Sequence, residues 1–127
     1  MHPVHFILYV SSQETATAFY SAILDKIPVL SVPGMTEFLL NDYCKLGLMP
    51  NTGIAKILGD ATPHPETGSG IPRCELYLSV DDVETAFARA TLHGAKVVSP
   101  PEDRDWGDRT CYLADADGHI TAFAEKL

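Results

Sequence analysis

The chain has 127 residues and a mass of 13.8 kDa, which is room for one domain. At that size a core can bury about two thirds of the unfolded chain's surface without a metal or disulfide staple. With 46% hydrophobic and 20% charged residues, the composition excludes disorder, collagen and coiled coil. Nine Lys and Arg against seventeen Asp and Glu give a net charge of -8, which repels a nucleic-acid backbone and argues against nucleic acid as a partner.

No apolar run approaches the roughly 20 residues of a membrane helix, and Met1-His2-Pro3-Val4-His5 lacks the basic lead of a secretion signal. The expectation is a cytoplasmic protein with no membrane partner. Cys44, Cys74 and Cys111 are widely spaced, with no C-x-x-C pair, and read as reduced thiols.

In chain order, His5 to Val10 is a run of aromatic and branched residues that suits a buried strand. Ser11-Ser12-Gln13-Glu14 follows as a capping box with Glu three residues after Ser11, opening a helix. Ala16, Phe19, Tyr20, Ile23, Leu24 and Ile27 then form one apolar helix face, and Pro28 ends it. Three extended segments come next: Val29 to Val32, Met35 to Leu40 and Cys44 to Met49, separated by Pro33-Gly34 and Asn41-Asp42. Residues 54–58 fit a helical turn or an edge strand equally well, and residues 59–72 are dense in Pro and Gly, as a linker would be.

The same punctuation then returns. Glu75 to Val80 reads as a strand, Asp81-Asp82-Val83-Glu84 as cap and box, and Val83, Ala86, Phe87 and Ala90 as a helix face. Gly94 is placed to end that helix with a positive φ. Extended segments follow at Lys96 to Ser99, Arg109 to Ala114 and His119 to Glu125, the last two joined by the turn Asp115-Ala116-Asp117-Gly118. Val10 superimposes on Val80, Glu14-Thr15 on Glu84-Thr85 and Ala16 on Ala86, which predicts an internal repeat. The expected fold is α+β: two βαβββ modules, residues 4–58 and 73–126, joined by linker 59–72 into a single domain. Their curved mixed sheets enclose a cleft, with the helices outside.

Most motifs fail on inspection. Gly68-Ser69-Gly70 lacks a third glycine and a following helix, and a calcium loop starting at Asp115 would need Glu where Lys126 stands. Two features survive. His5 and Glu75 occupy the same place in the two repeats; facing one cavity, they could ligate a metal or serve as base and acid. A His at a strand start and a Glu balancing local charge also occur with no role at all. The segment Glu102 to Arg109 reads as a loop that sets the only Trp, Trp106, among alternating charges, either offering a flat face to a ring or cation or packing onto the sheet.

The paired modules, His5 at the head of the first strand, Ala18-Phe19-Tyr20 in the first helix and the closing Asp115-Ala116-Asp117-Gly118-His119 resemble the vicinal oxygen chelate superfamily. That family holds glyoxalase I, extradiol dioxygenases, fosfomycin-resistance enzymes and bleomycin-resistance proteins. The resemblance spans residues 4 to 126 and implies four metal-ligand positions, which fall on His5, Gly47, Glu75 and Ala122. Two of these carry no donor atom, so no cofactor is favoured. The implied function is binding of a small aromatic or cationic molecule in the cleft, lined by residues drawn from His5, Phe38, Tyr43, Met49, Glu75, Tyr77, Trp106 and Tyr112. The alternative is a metal-dependent lyase, dioxygenase or transferase using His5 and Glu75, with Glu37 as a third oxygen and Zn, Ni, Mn or Fe as the metal. The resemblance further implies a homodimer.

Overall fold

The computed structural model describes residues 2–127, and the chain divides into two units, the first ending at Ser69 and the second running from Gly70 to Leu127. The first contains β1 (Val4–Val10), α1 (Gln13–Leu24), β2 (Leu30–Val32), β3 (Met35–Asn41), β4 (Cys44–Pro50) and α2 (Asn51–Leu58). The second contains β5 (Glu75–Ser79), α3 (Val83–Leu92), β6 (Lys96–Asp103), β7 (Asp108–Ala114) and β8 (Ile120–Lys126). Each unit holds a four-stranded mixed sheet, ordered β1-β4-β3-β2 and β5-β8-β7-β6. The first and last strands pair in parallel and the others antiparallel. This is the α+β pattern of two βαβββ modules, with α2 added after β4.

Both long helices start one residue later than the capping boxes predict. Ser12 caps α1 by accepting from the Thr15 amide at 3.1 Å, and Asp82 caps α3 by accepting from the Thr85 amide at 3.2 Å. The shared signal is Ser or Asp followed three residues on by Thr, whose hydroxyl also meets the cap: Ser12 Oγ to Thr15 at 3.1 Å, and Thr85 Oγ1 to Asp82 at 2.9 Å. Helix α1 ends at Leu24 on a left-handed Asp25 (φ 53°), before Pro28 can act. Ile27, predicted on the apolar face, is therefore exposed. Helix α3 ends as predicted at Gly94 (φ 94°), where the Gly94 and Ala95 amides bond back to Thr91 and Ala90.

In the first unit Thr36 on β3 bonds Thr17 at 2.8 Å and Gln13 at 3.0 Å, which marks the face of β3 that packs on α1. By alternation Phe38 shares that face, and across the register so do Leu46 and Leu48. With Val10, Tyr20 and Ile23 they form the buried core of the unit, each large apolar side chain contributing about 1.5–3 kcal/mol. In the second unit Glu125 accepts from the Val83 amide at 2.9 Å and Arg109 meets Glu84 at 3.0 Å, so their face of the sheet carries α3. Cys111, Leu113 and Phe123 are buried in this unit together with Val83 and Ala90, and burial pushes the Cys111 thiol above its ordinary pKa.

Residues 59–72 contain two 3-10 turns, Gly59–Ala61 and Pro65–Gly68. The Gly70 amide donates to the Asp117 carbonyl at 2.7 Å, which ties the start of the second unit to the β7–β8 turn. Glu102 to Arg109 is a tight hairpin rather than an eight-residue loop. Glu102 and Asp103 belong to β6, Asp108 and Arg109 to β7, and the Arg104 amide closes the turn on the Asp108 carbonyl at 2.8 Å. Strand β6 is an edge strand with register shifts between Val97 and Ser99 and between Ser99 and Glu102; the second spans Pro100-Pro101, as expected where ladder donors are missing. Among the described residues no helix is long and apolar enough to cross a membrane.

Candidate functional site

The chemistry-bearing residues gather on the sheet faces turned away from α1 and α3. In the first unit His5 pairs in register with Lys45, and Glu37 with Gly47. His5, Ile7, Tyr9, Lys45, Gly47, Met49 and Glu37 therefore share one face. Glu37, only 14% exposed, is the centre of a small charge cluster: its Oε2 lies 3.3 Å from His5 Nδ1 and its Oε1 3.6 Å from Lys45 Nζ. Lys45 was not singled out by sequence reasoning. Its signal is alternation along Cys44–Pro50, which turns residues 45, 47 and 49 to one side.

In the second unit the equivalent face carries Glu75, Tyr77, Tyr112, Ala122 and Asp108. Ala122 pairs with Tyr77 on one side and Tyr112 on the other, and is 0% exposed. The Tyr77 hydroxyl donates to Asp108 Oδ2 at 2.5 Å and accepts from Trp106 Nε1 at 3.0 Å. Indole can only donate and carboxylate only accept, so the direction of this chain is fixed. The bond to Asp108 raises the Tyr77 phenol above the ordinary tyrosine pKa. Arg104, also unforeseen, is held by Thr110 Oγ1 at 2.7 Å and Ser99 Oγ at 2.9 Å, and lies 5.4 Å from the centre of the Tyr112 ring, within cation–π range.

The remaining candidate residues are placed as follows. Phe38 is fully buried on the α1 face, away from His5 and Glu37. Tyr43 is exposed in the β3–β4 turn, where its carbonyl accepts from the Val4 amide. Met49 lies partly covered on the His5 face, and Glu75 is exposed at the start of β5. Trp106 is 56% exposed: it is anchored to the sheet through Tyr77 yet keeps much of its ring in solvent. His5 and Glu37 meet, as do Tyr77, Asp108 and Trp106, while Glu75 belongs to the second unit and His5 to the first.

The four ligand positions implied by the resemblance do not provide the donor set of a catalytic metal, which needs about three protein ligands. Positions 47 and 122 lack donor atoms, and a side chain at 47 would meet Ile7 Cγ1 at 3.1 Å and Met35 Sδ at 3.3 Å. Glu37, the possible third oxygen, already faces an ammonium. Among the described residues no three His, Cys, Asp or Glu side chains gather as a metal would require.

A groove of about 610 Å³ opens on the α1 side, lined by Gln13, Thr17, Val32 and Thr36 among others. Gln13, Thr17 and Thr36 bond one another across it. The Gln13 amide donates to the Val32 carbonyl at 2.8 Å and accepts from the Gly34 amide at 2.9 Å, which clamps the β2–β3 turn to the helix.

Comparison with known proteins supplies the family. An uncharacterised protein of Mycobacterium tuberculosis is 32% identical over 123 residues, covering 94% of this chain and 72% of that protein. A glyoxalase-related enzyme from Fulvimarina pelagi superimposes with a TM-score of 0.83 at 21% identity, over 97% of this chain and 86% of its own. TioX from Micromonospora sp. ML1 superimposes at 0.75 and 22% identity, over 100% and 99%. A protein of Agrobacterium tumefaciens solved by NMR does so at 0.75 and 28% identity, over 100% and 98%. The family model for the Glyoxalase/Bleomycin resistance protein/Dioxygenase superfamily matches residues 2–123, and with two βαβββ modules of matching topology already described, the chain belongs to that superfamily.

Proposed function

We propose that the chain binds a small planar molecule, aromatic and preferably cationic, on the aromatic sheet face of the second unit, without a metal. The observation that carries this reading is the row Tyr77, Ala122, Tyr112 across three strands, with Trp106 and Asp108 locked to Tyr77. Ala122 is fully covered where a carboxylate ligand is implied in the metal enzymes, and the surface offered to a guest is that of Tyr77 and Trp106, 40% and 56% exposed. Aromatic faces with few fixed polar groups suit planar guests. The net charge of -8, with Asp108 and Glu75 on the same face, enriches cations near it.

Trp106 is the only Trp, so its fluorescence reports binding directly. Titration with proflavine, a planar aromatic cation, in the presence of a chelator is expected to give saturable quenching, weakened about fivefold in Tyr77→Phe, where the anchors of Trp106 and Asp108 are lost. Quenching that never saturates, or that needs an added divalent ion, overturns the reading.

A second reading rests on the 3.3 Å contact between His5 and Glu37: a metal-dependent lyase, dioxygenase or transferase using these two residues with Zn, Ni, Mn or Fe. A stoichiometric ion in protein purified without chelators, lost in His5→Ala, would establish it. We further propose a cytoplasmic homodimer. Exposed Val4 and Phe6 on the edge strand β1 favour pairing with a second copy. Light scattering is expected to give a mass near twice 13.8 kDa, and a monomer at high concentration rejects the dimer.

A further inference from the structure

The β6–β7 hairpin, Glu102 to Arg109, carries four carboxylates and two guanidinium groups, and their pairing is unequal. Arg104 Nη1 meets Glu102 at 3.2 Å, while Arg109 meets Asp103 at 2.9 Å and Glu84 of α3 at 3.0 Å. Asp105 is exposed at the turn. Asp108 is partly covered and has no ion pair among the described residues; Lys126 lies opposite it in the β7–β8 register and does not close one. Asp108 is nonetheless oriented. Its Oδ2 accepts from the Tyr77 hydroxyl at 2.5 Å, and that hydroxyl accepts from Trp106 Nε1 at 3.0 Å. One phenol oxygen thus joins the carboxylate to the edge of an exposed indole. Oδ1 takes no hydrogen bond among the described residues, and a carboxylate oxygen can only accept. A flat cation without N–H can use the indole face alone. One that carries N–H can use the face and Oδ1 together, through a charge-assisted hydrogen bond about twice as strong as a neutral one.

We propose that Asp108 Oδ1 selects the guest of this face: a flat aromatic cation with an N–H at its edge, which lies against Trp106 and donates to Asp108, in preference to a fully alkylated cation of the same ring and charge. This inference rests on the metal-free aromatic-face reading and names the class of cation that the reading leaves open. Tyr77 is the positioning residue that turns the carboxylate. No covalent bond is made or broken, and the guest keeps its proton.

The test is titration of Trp106 fluorescence with acridine orange, protonated on its ring nitrogen at neutral pH, and with its 10-methyl derivative, which sets N–CH3 against N–H on one ring and one charge. Wild type is expected to bind acridine orange about tenfold tighter than the methylated dye. Asp108→Asn keeps a carbonyl for the Tyr77 hydroxyl and turns an NH2, which can only donate, toward the guest. There the ratio is expected to fall to about one. Asp105→Asn removes the same charge next to Trp106 and is expected to keep the ratio near about tenfold, since net charge acts on both dyes alike. A ratio that survives in Asp108→Asn, or is lost equally in Asp105→Asn, overturns the proposal. If Asp108→Asn fails to fold, the wild-type ratio alone decides. Equal affinities in wild type, with both dyes saturating, remove only this inference, whereas saturation with neither dye removes the aromatic-face reading and this inference with it.

Discussion

The sheet faces turned away from α1 and α3 are built on equivalent strands and carry opposite chemistry. In the first, a carboxylate with little exposure is held between an imidazole and an ammonium among aliphatic and thioether side chains. In the second, two tyrosines and a tryptophan lie over an alanine, with their polar tips joined by hydrogen bonds. The register places Glu37 of the first unit where Tyr112 stands in the second, and Gly47 where Ala122 stands. The two modules share the ladder and the caps, which hold up each unit, and differ at the positions that face away from the helices. The backbone fixes where a side chain projects; which chemistry it brings is free to change.

The largest effect that would sharpen this contrast comes from restoring the carboxylate implied by the resemblance. Ala122→Glu places a charge at a fully buried position between two tyrosines and is expected to cost about 3–5 kcal/mol in denaturant unfolding. Gly47→Ala at the equivalent place should cost only about 1 kcal/mol, because Ile7 and Met35 are flexible enough to shift. Equal costs would mean that the two faces are packed alike.

Next in size is Gly118→Ala, at a positive φ of 88° where an added carbon would lie 2.6 Å from Gly70 Cα. A loss of about 3 kcal/mol is expected, against about 1 kcal/mol for Gly34→Ala, which has a φ of 95° but nothing within 4 Å. Thermal or urea unfolding distinguishes them.

The two helix caps differ in pH response. Ser12→Ala is expected to cost about 1 kcal/mol at any pH. Asp82 has its carboxyl held below the ordinary pKa by the Thr85 hydroxyl and amide. Its stabilisation is present above the ordinary carboxylate range and is lost as pH falls through the lowered value. Asp82→Ala should therefore lower Tm at neutral pH, with the difference shrinking in acid. A pH-independent difference would show that charge plays no part in the cap.

The smallest effect is spectroscopic. Hydrogen-bonded to Asp108, Tyr77 should ionise above the ordinary tyrosine range. The stability it adds is complete below the ordinary tyrosine range and disappears as pH rises through the raised value. An ultraviolet titration of wild type against Tyr77→Phe checks this: loss of an early-titrating group in the variant would count against the Asp108 bond.

The repeat, the strands and both long helices were legible because each rests on local pattern: alternation, a 3.6-residue face, a cap, a glycine. The caps were misplaced by one residue because Ser11-Ser12 and Asp81-Asp82 each offer two side chains of the same kind, and the choice depends on which one meets Thr15 or Thr85. Helix α2 was ambiguous in sequence because its eight residues are too few to show a period. Lys45, Arg104 and Asp108 escaped notice for another reason. Their roles arise from cross-strand register, and register follows from pairing between distant segments.

The twin prolines of β6 set a limit on assembly. With no amide hydrogen at positions 100 and 101 and an irregular ladder on the inner side, this border of the second sheet is a poor template for an incoming strand. Continuation of the sheets into another molecule is favoured at the remaining borders, so fibre-like growth through both sides of the second unit is opposed by two adjacent residues.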